Sequence, residues 1–161
     1  MQLGMSLPVF TAFHTIISLI AIVTGLFVVF GFLTARLLPI LTAIFLITTV
    51  ATSATGFLFP FHGFKPSYAV GILSLVMLAI AIVARYIGHI NGSWRWIYVV
   101  SSVVSLYFNV FVLVVQSFAK IPALKALAPT QTEPPFAVAQ IIVMILFILI
   151  GIYSVKKFRL A

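Results

Sequence analysis

The chain has 161 residues, of which 64% are hydrophobic and only 6% charged, with a formal net charge of +8. Soluble domains carry roughly 25% charged residues, so this composition excludes a water-facing globular protein and indicates a chain embedded in a bilayer. Cysteine is absent, which excludes disulfides, thiolate catalysis and iron–sulfur clusters. The basic residues lie at the ends of apolar runs, so we expect anionic lipid headgroups, and not nucleic acid, as their partners.

Five apolar runs follow one another along the chain, and each has about the 20 residues that a helix needs to cross a bilayer. Strict alternation of apolar and polar residues is missing, so barrel strands are excluded and only helices satisfy the backbone in hydrocarbon. The sequence therefore predicts an all-α, polytopic membrane protein in which residues 1–161 form a single five-helix transmembrane bundle. The helices are predicted at about 9–34, 40–59, 68–90, 94–118 and 136–155.

The fourth connection, 119–135, is the longest and has its own apolar pattern. Ile121, Leu124 and Leu127 recur every three residues, with lysines beside them. Pro122 suits the first turn of a helix. The sequence therefore predicts a short helix lying in the membrane interface.

Basic residues are distributed unevenly between the two ends of the predicted bundle, six against three. By the positive-inside rule, the richer end lies in the cytoplasm together with the C-terminus, and the N-terminus lies outside. We expect an integral protein of the bacterial inner membrane. The residues expected to contact anionic lipid are Arg36, Arg85, Arg95, Lys156, Lys157 and Arg159.

Two of the three histidines are predicted to share a depth in the bundle. His14 lies about one turn into the first helix, and His62 lies just past the second. A pair of neutral imidazoles on different segments is able to ligate a haem iron, so haem b is one candidate cofactor. Together with Glu133 the two histidines are also able to hold a zinc ion, although their spacing matches no zinc motif. The alternative is that both histidines lie at the interface and contact water or lipid.

The second and fourth helices carry polar residues at helical spacing. An amide near the middle of the membrane is costly in lipid, so Asn109 must face protein or a cavity. One interpretation is hydrogen bonding between helices. The other is a site for a solute or a quinone carbonyl. The candidate ligand-binding residues are Asn109, Gln116, Ser105, Ser102, Thr49 and Ser53.

Missing motifs narrow the range of functions. Glu133 is the only acidic residue and lies outside the predicted spans, which disfavours ion-coupled transport and paired-carboxylate hydrolysis. The sequence contains no nucleophile triad, zinc-protease motif or nucleotide-binding motif, which disfavours an enzymatic function. Three hypotheses remain. The first is a non-enzymatic module, acting as an accessory subunit of a larger complex or as a homo-oligomer. The second is a carrier or pore for a neutral or anionic small solute, and the third is an electron-transfer protein with one haem b or a bound quinone.

In size and helix number the chain resembles the tryptophan-rich sensory proteins of mitochondrial outer and bacterial membranes. It is also similar in helix number to small haem-b membrane proteins. Trp94 and Trp96 are its only tryptophans, and no site residue is carried over from either group.

Overall fold

The computed structural model describes residues 3–60 and 66–159, and this part of the chain is helical, without strands. The helices are α1 (Leu7–Leu33), α2 (Pro39–Gly56), α3 (Pro66–Ile82), α4 (Ser93–Lys120), α5 (Pro122–Leu127) and α6 (Pro134–Lys157). A π-helical turn, Val83–Ile87, continues α3. Five helices, α1, α2, α3 with its π turn, α4 and α6, are long and apolar enough to cross a membrane. The predicted all-α architecture is confirmed, as is the prediction of five helices long and apolar enough to span a membrane.

Proline marks the beginning of most helices. A proline lies in the first two positions of α1, α2, α5 and α6, where its fixed φ fits and its missing N–H costs nothing. The second helix ends at Gly56, three residues before the predicted end. The N–H groups of Phe57 and Leu58 bond to carbonyls three residues back, which tightens the last turn and ends the helix.

The first four long helices form a ring. Each packs against its neighbours in the sequence, and α4 also packs against α1 and so closes the ring. Across its centre, α2 and α4 are joined by hydrogen bonds from Asn109 to Thr49 and from Tyr98 to Thr42. We call the end where α1 begins the open end, and the opposite end, which carries Arg36, Arg85 and Arg95, the arginine end.

The sixth helix lies outside the ring, on α4 and α1. Its buried residues, Gln140, Phe147 and Ser154, are seven residues apart and so lie on one face, while most of its other side chains are exposed. At the arginine end, Nη1 of Arg95 donates to the carbonyls of Val155 and Phe158. These bonds attach the last turn of α6 to α4.

An aromatic cluster closes the centre of the arginine end. The Phe32 ring lies edge-on to Tyr98, with centroids 5.3 Å apart, and to Phe158, at 4.9 Å. All three side chains are essentially inaccessible, with exposed fractions of 0–1%. Edge-to-face geometry of this kind is favourable for aromatic pairs.

Gly25 allows α1 to approach the centre of the ring closely. A Cβ at this position would lie 2.6 Å from Cδ1 of Leu106 and 2.9 Å from the Phe45 ring. We expect Gly25→Ala to lower the free energy of unfolding in mixed micelles by roughly 1–2 kcal/mol, because the new methyl overpacks the core. Gly151→Ala is the matched control, since its Cβ would meet Val103 at an ordinary 3.7 Å. Equal effects at the two positions would contradict this explanation.

Candidate functional site: a cavity at the open end

A cavity of about 640 Å³ lies inside the ring at the open end, between α1, α2, α3 and α4. Pockets for small molecules typically measure about 300–1,000 Å³. Lys120 lies at its mouth, and Asn109 lies at its floor on the same helix. At 1.5 Å per residue these positions are about 16 Å apart. The cavity therefore reaches about the middle of the bundle.

The lining combines apolar and hydrogen-bonding groups. Side chains such as Leu19, Ile22 and Val112 supply apolar surface. The polar lining consists of several hydroxyls, two amides, one imidazole and the Lys120 ammonium, with no carboxylate among the described lining residues. The wall therefore accommodates an apolar body with a few polar groups, and its one charge repels cations.

The hydrogen bond between His14 and Thr55 determines which ring nitrogen of His14 carries the proton. Its Nδ1 lies 2.8 Å from the Thr55 hydroxyl, and that hydroxyl donates to the Ala51 carbonyl at 2.6 Å. A hydroxyl has one proton, so His14 donates through Nδ1–H, and Nε2 of the neutral ring carries the lone pair. The Phe59 ring lies edge-on at 5.1 Å and helps to fix the imidazole plane. His14 therefore offers the cavity a hydrogen-bond acceptor.

Four hydroxyls of the wall also act as acceptors towards the cavity. Those of Thr11, Thr15, Ser18 and Ser117 each donate at 2.7–2.8 Å to the carbonyl four residues earlier. Their protons are thus used within the helices, as is common for hydroxyls in membrane helices. The amides and Lys120, which are also part of the lining, supply hydrogen-bond donors.

The floor of the cavity is a pair of hydrogen bonds between helices. Nδ2 of Asn109 donates to Thr49 at 3.2 Å, and the Ser53 hydroxyl donates to Ser74 at 3.1 Å. All four residues are buried. Asn109 therefore faces protein and cavity together, so the two interpretations of its position are compatible.

The structure brings together part of the predicted ligand-binding set. Asn109, Gln116 and Ser53 line the cavity. Thr49 lies at the floor as the acceptor of Asn109. Ser105 and Ser102 are buried farther along α4 and are not part of the lining. These two residues lie between the floor and the arginine end.

Of the two candidate haem ligands, His14 lines the cavity, and His62 lies outside the described residues. Within the described ranges no three His, Cys, Asp or Glu side chains lie close enough together to hold a metal ion. The predicted histidine pair stays a prediction.

The six basic residues expected to contact lipid have different surroundings. Four are exposed at the arginine end: Arg36, Lys156, Lys157 and Arg159. Arg95 is half-buried and bonded to α6. Arg85 lies in the π turn, with its guanidinium carbon 5.5 Å from the ring centroids of Tyr86 and Tyr98.

Glu133 is held in the connection before α6. Its carboxylate accepts hydrogen bonds from the Thr130 hydroxyl at 2.8 Å and from the backbone N–H groups of Thr130 and Thr132. Desolvation raises the pKa of Glu133. The hydrogen bonds from Thr130, from Thr132 and from the backbone N–H of Glu133 itself lower the pKa by more, so the net pKa lies below the ordinary value. The one acid of the chain is thus ionised and engaged locally at neutral pH.

Some partners of the site residues are absent from the sequence-based prediction. Thr55 orients His14, and Tyr98 bonds to Thr42, across sequence separations of 41 and 56 residues. Pairings of this kind depend on how each helix is rotated about its axis. The only sequence signal available was the helical spacing of Thr42, Thr49 and Ser53 along α2.

The fold and the site define a class: an all-α bundle of membrane-spanning helices with a polar-lined cavity open at one end. No protein-family model, curated protein or solved structure matches this chain. The cavity is therefore the feature of the molecule that bears on its function.

Proposed function

We propose that the chain is a membrane carrier for a small solute that is uncharged or singly negative and that binds in the open-end cavity. The observation that carries this proposal is the cavity itself, about 640 Å³ of space inside the ring with hydrogen-bonding walls. Protein interiors are otherwise close-packed, and unfilled space forfeits dispersion energy. A subunit with a purely structural role has no use for such a space, which is why we favour a carrier over an accessory module.

The chemistry of the wall narrows the solute. Nε2 of His14 and the four wall hydroxyls whose protons are bonded to backbone carbonyls accept hydrogen bonds, whereas Gln116 and Lys120 donate them. A matching solute carries O–H or N–H donors, carbonyl or carboxylate oxygens, or both. Lys120 at the mouth favours a negative charge and disfavours cations.

We place the protein in the bacterial plasma membrane with its N-terminus outside and its arginine end in the cytoplasm. The exposed Arg36, Lys156, Lys157 and Arg159 support this orientation, because cytoplasmic ends of membrane proteins are enriched in basic residues. They would contact anionic lipid headgroups. The cavity would then open to the outside, and α5 would lie in the outer interface.

Binding to purified protein in nanodiscs tests the proposal. The panel is glycerol, urea, formate, lactate and a short-chain quinone, with ligand-dependent thermal stabilisation as the readout. We expect at least one compound to bind. We also expect the double variant Asn109→Leu, Gln116→Leu to lose about tenfold in affinity or more, since each amide supplies hydrogen bonds worth roughly 0.5–1.5 kcal/mol.

The matched control is Gln140→Leu, which removes an amide from α6, outside the cavity. Gln140 donates to the Phe111 carbonyl and does not line the cavity. The Gln140→Leu variant should bind the ligand with the same affinity as the wild type. A panel without binders, or equal losses in the cavity variant and in Gln140→Leu, would overturn the proposal.

A further inference from the structure

Polar side chains continue beyond the floor of the cavity towards the arginine end. On α4 they follow at steps of four, three and four residues and so share one helical face: Tyr98, Ser102, Ser105 and Asn109. Their exposed fractions are 0–9%. Thr42 and Thr49, one heptad apart on α2, accept hydrogen bonds from the two ends of this series. A line of buried polar groups thus follows the axis of the ring.

Ser102 is the unsatisfied member of this series. The hydroxyls of Ser101 and Ser105 donate to backbone carbonyls of the preceding turn. The Ser102 hydroxyl, with 1% of the residue exposed, has no hydrogen-bond partner within the described part of the chain. Burying an unpaired hydroxyl is unfavourable. Its position between the Asn109–Thr49 and Tyr98–Thr42 bonds makes it available to a species moving between them.

Arg85 lies at the far end of the same line. The π turn Val83–Ile87 interrupts the regular helix, a feature frequent at functional sites. The guanidinium carbon of Arg85 lies 5.5 Å from the centroid of the Tyr98 ring, and Nε of Arg85 is buried without a hydrogen-bond partner among the described residues. The only acidic side chain of the chain, Glu133, is bonded to Thr130. Within the described residues Arg85 is therefore a cation without a carboxylate partner, which leaves its charge available to an anion.

Phe45 blocks the line between the cavity and Arg85. It lies between Thr42 and Thr49 on α2, and 1% of it is exposed. Its ring and Leu106 occupy the space that the absent side chain of Gly25 leaves free. The polar groups on either side are thus separated mainly by this apolar layer.

We infer that the cavity is one half of a path for a small monovalent anion, which runs along the polar face of α4 to Arg85 and is closed by Phe45. This inference rests on the proposed function and deepens it, because it specifies the charge of the solute and its exit. The anion would leave the Asn109 amide, meet the free Ser102 hydroxyl and reach the Arg85 guanidinium. Rotation of the Phe45 ring would open the path.

Swelling of proteoliposomes tests this inference. Vesicles are placed in isotonic potassium chloride, nitrate or formate with valinomycin, so that potassium is permeant and swelling reports anion entry. We expect protein-dependent swelling with at least one salt. Arg85→Gln and Ser102→Leu should slow it about tenfold or more, and Phe45→Ala should accelerate it severalfold. Arg36→Gln, at the exposed surface of the same end, is the matched control and should behave as the wild type.

The outcomes separate this inference from the proposed function. Cavity binding in nanodiscs without swelling, for both the wild type and Phe45→Ala, would overturn the path and leave the binding site in place. Absence of both binding and swelling would overturn both proposals. Swelling that is unchanged in Arg85→Gln, with loss of copurified phospholipid, would assign Arg85 to a lipid headgroup and overturn the path.

Discussion

Phe32→Ala is expected to lower the free energy of unfolding by roughly 3 kcal/mol, at the lower end of the usual range for truncating a buried phenylalanine. The side chain is 1% exposed and fills the centre of the arginine end between Tyr98 and Phe158. In a membrane the released surface meets lipid and not water, so the loss comes mainly from packing. This is why the lower end of the range applies.

Phe30→Ala is the matched control, because it lies on the same helix and removes the same atoms. Phe30 is 60% exposed and lies on the outer face of α1, so its removal should change stability by less than about 0.5 kcal/mol. The measurement is unfolding by SDS in mixed micelles, followed by the fluorescence of Trp94 and Trp96. Similar losses for the two variants would mean that the aromatic cluster does not stabilise the bundle.

Arg95→Ala should cost roughly 2–3 kcal/mol and release the end of α6. Hydrogen bonds from a charged donor contribute about 1.5–3 kcal/mol each, and here the partly aqueous interface reduces them. Arg95 donates hydrogen bonds to two carbonyls at the C-terminal end of α6, those of Val155 and Phe158. A cation at this end of a helix is also favoured by the helix dipole.

Amide hydrogen exchange and SDS unfolding measure both effects. In Arg95→Ala, exchange should rise in the last turns of α6 and remain unchanged in α2. Arg95→Lys should restore part of the stability, because an ammonium lacks the planar fork but still reaches a carbonyl. Arg36→Ala, at an exposed position, is the control and should have little effect. Unchanged exchange in α6 would contradict the role assigned to Arg95.

The long apolar helices could be predicted from the sequence because hydrophobic length alone defines them. The end of α3 could be predicted less well. The sequence predicts a helix as far as residue 90, whereas a π turn replaces the α-helical pattern from Val83 to Ile87. Apolar composition cannot distinguish one helical hydrogen-bond pattern from another, since all of them present similar side chains.

Part of the candidate site could be predicted from the sequence, because polar side chains in a membrane helix must face the interior. The cost of an amide in lipid requires Asn109 to face inward, and the structure has it bonded to Thr49. The helical spacing of Ser53 and Gln116 also led to the cavity. Thr55 and Phe45 were not found, because the first acts through His14 and the second is one apolar residue among many. Their roles depend on the rotation of α2 relative to α1 and α4.

The position of α6 outside the ring has a consequence for the order of assembly. The ring closes only where α4 meets α1, so we expect the cavity to form only after the fourth long helix has been synthesised. The last helix adds three buried residues at seven-residue spacing, Gln140, Phe147 and Ser154, to the outside of this ring. We therefore expect α6 to join last, held by the hydrogen bonds from Arg95 to its final turn. The final span completes the core towards the arginine end through Phe147 and Phe158, whereas the cavity at the open end is lined by the first four long helices and residues that follow them.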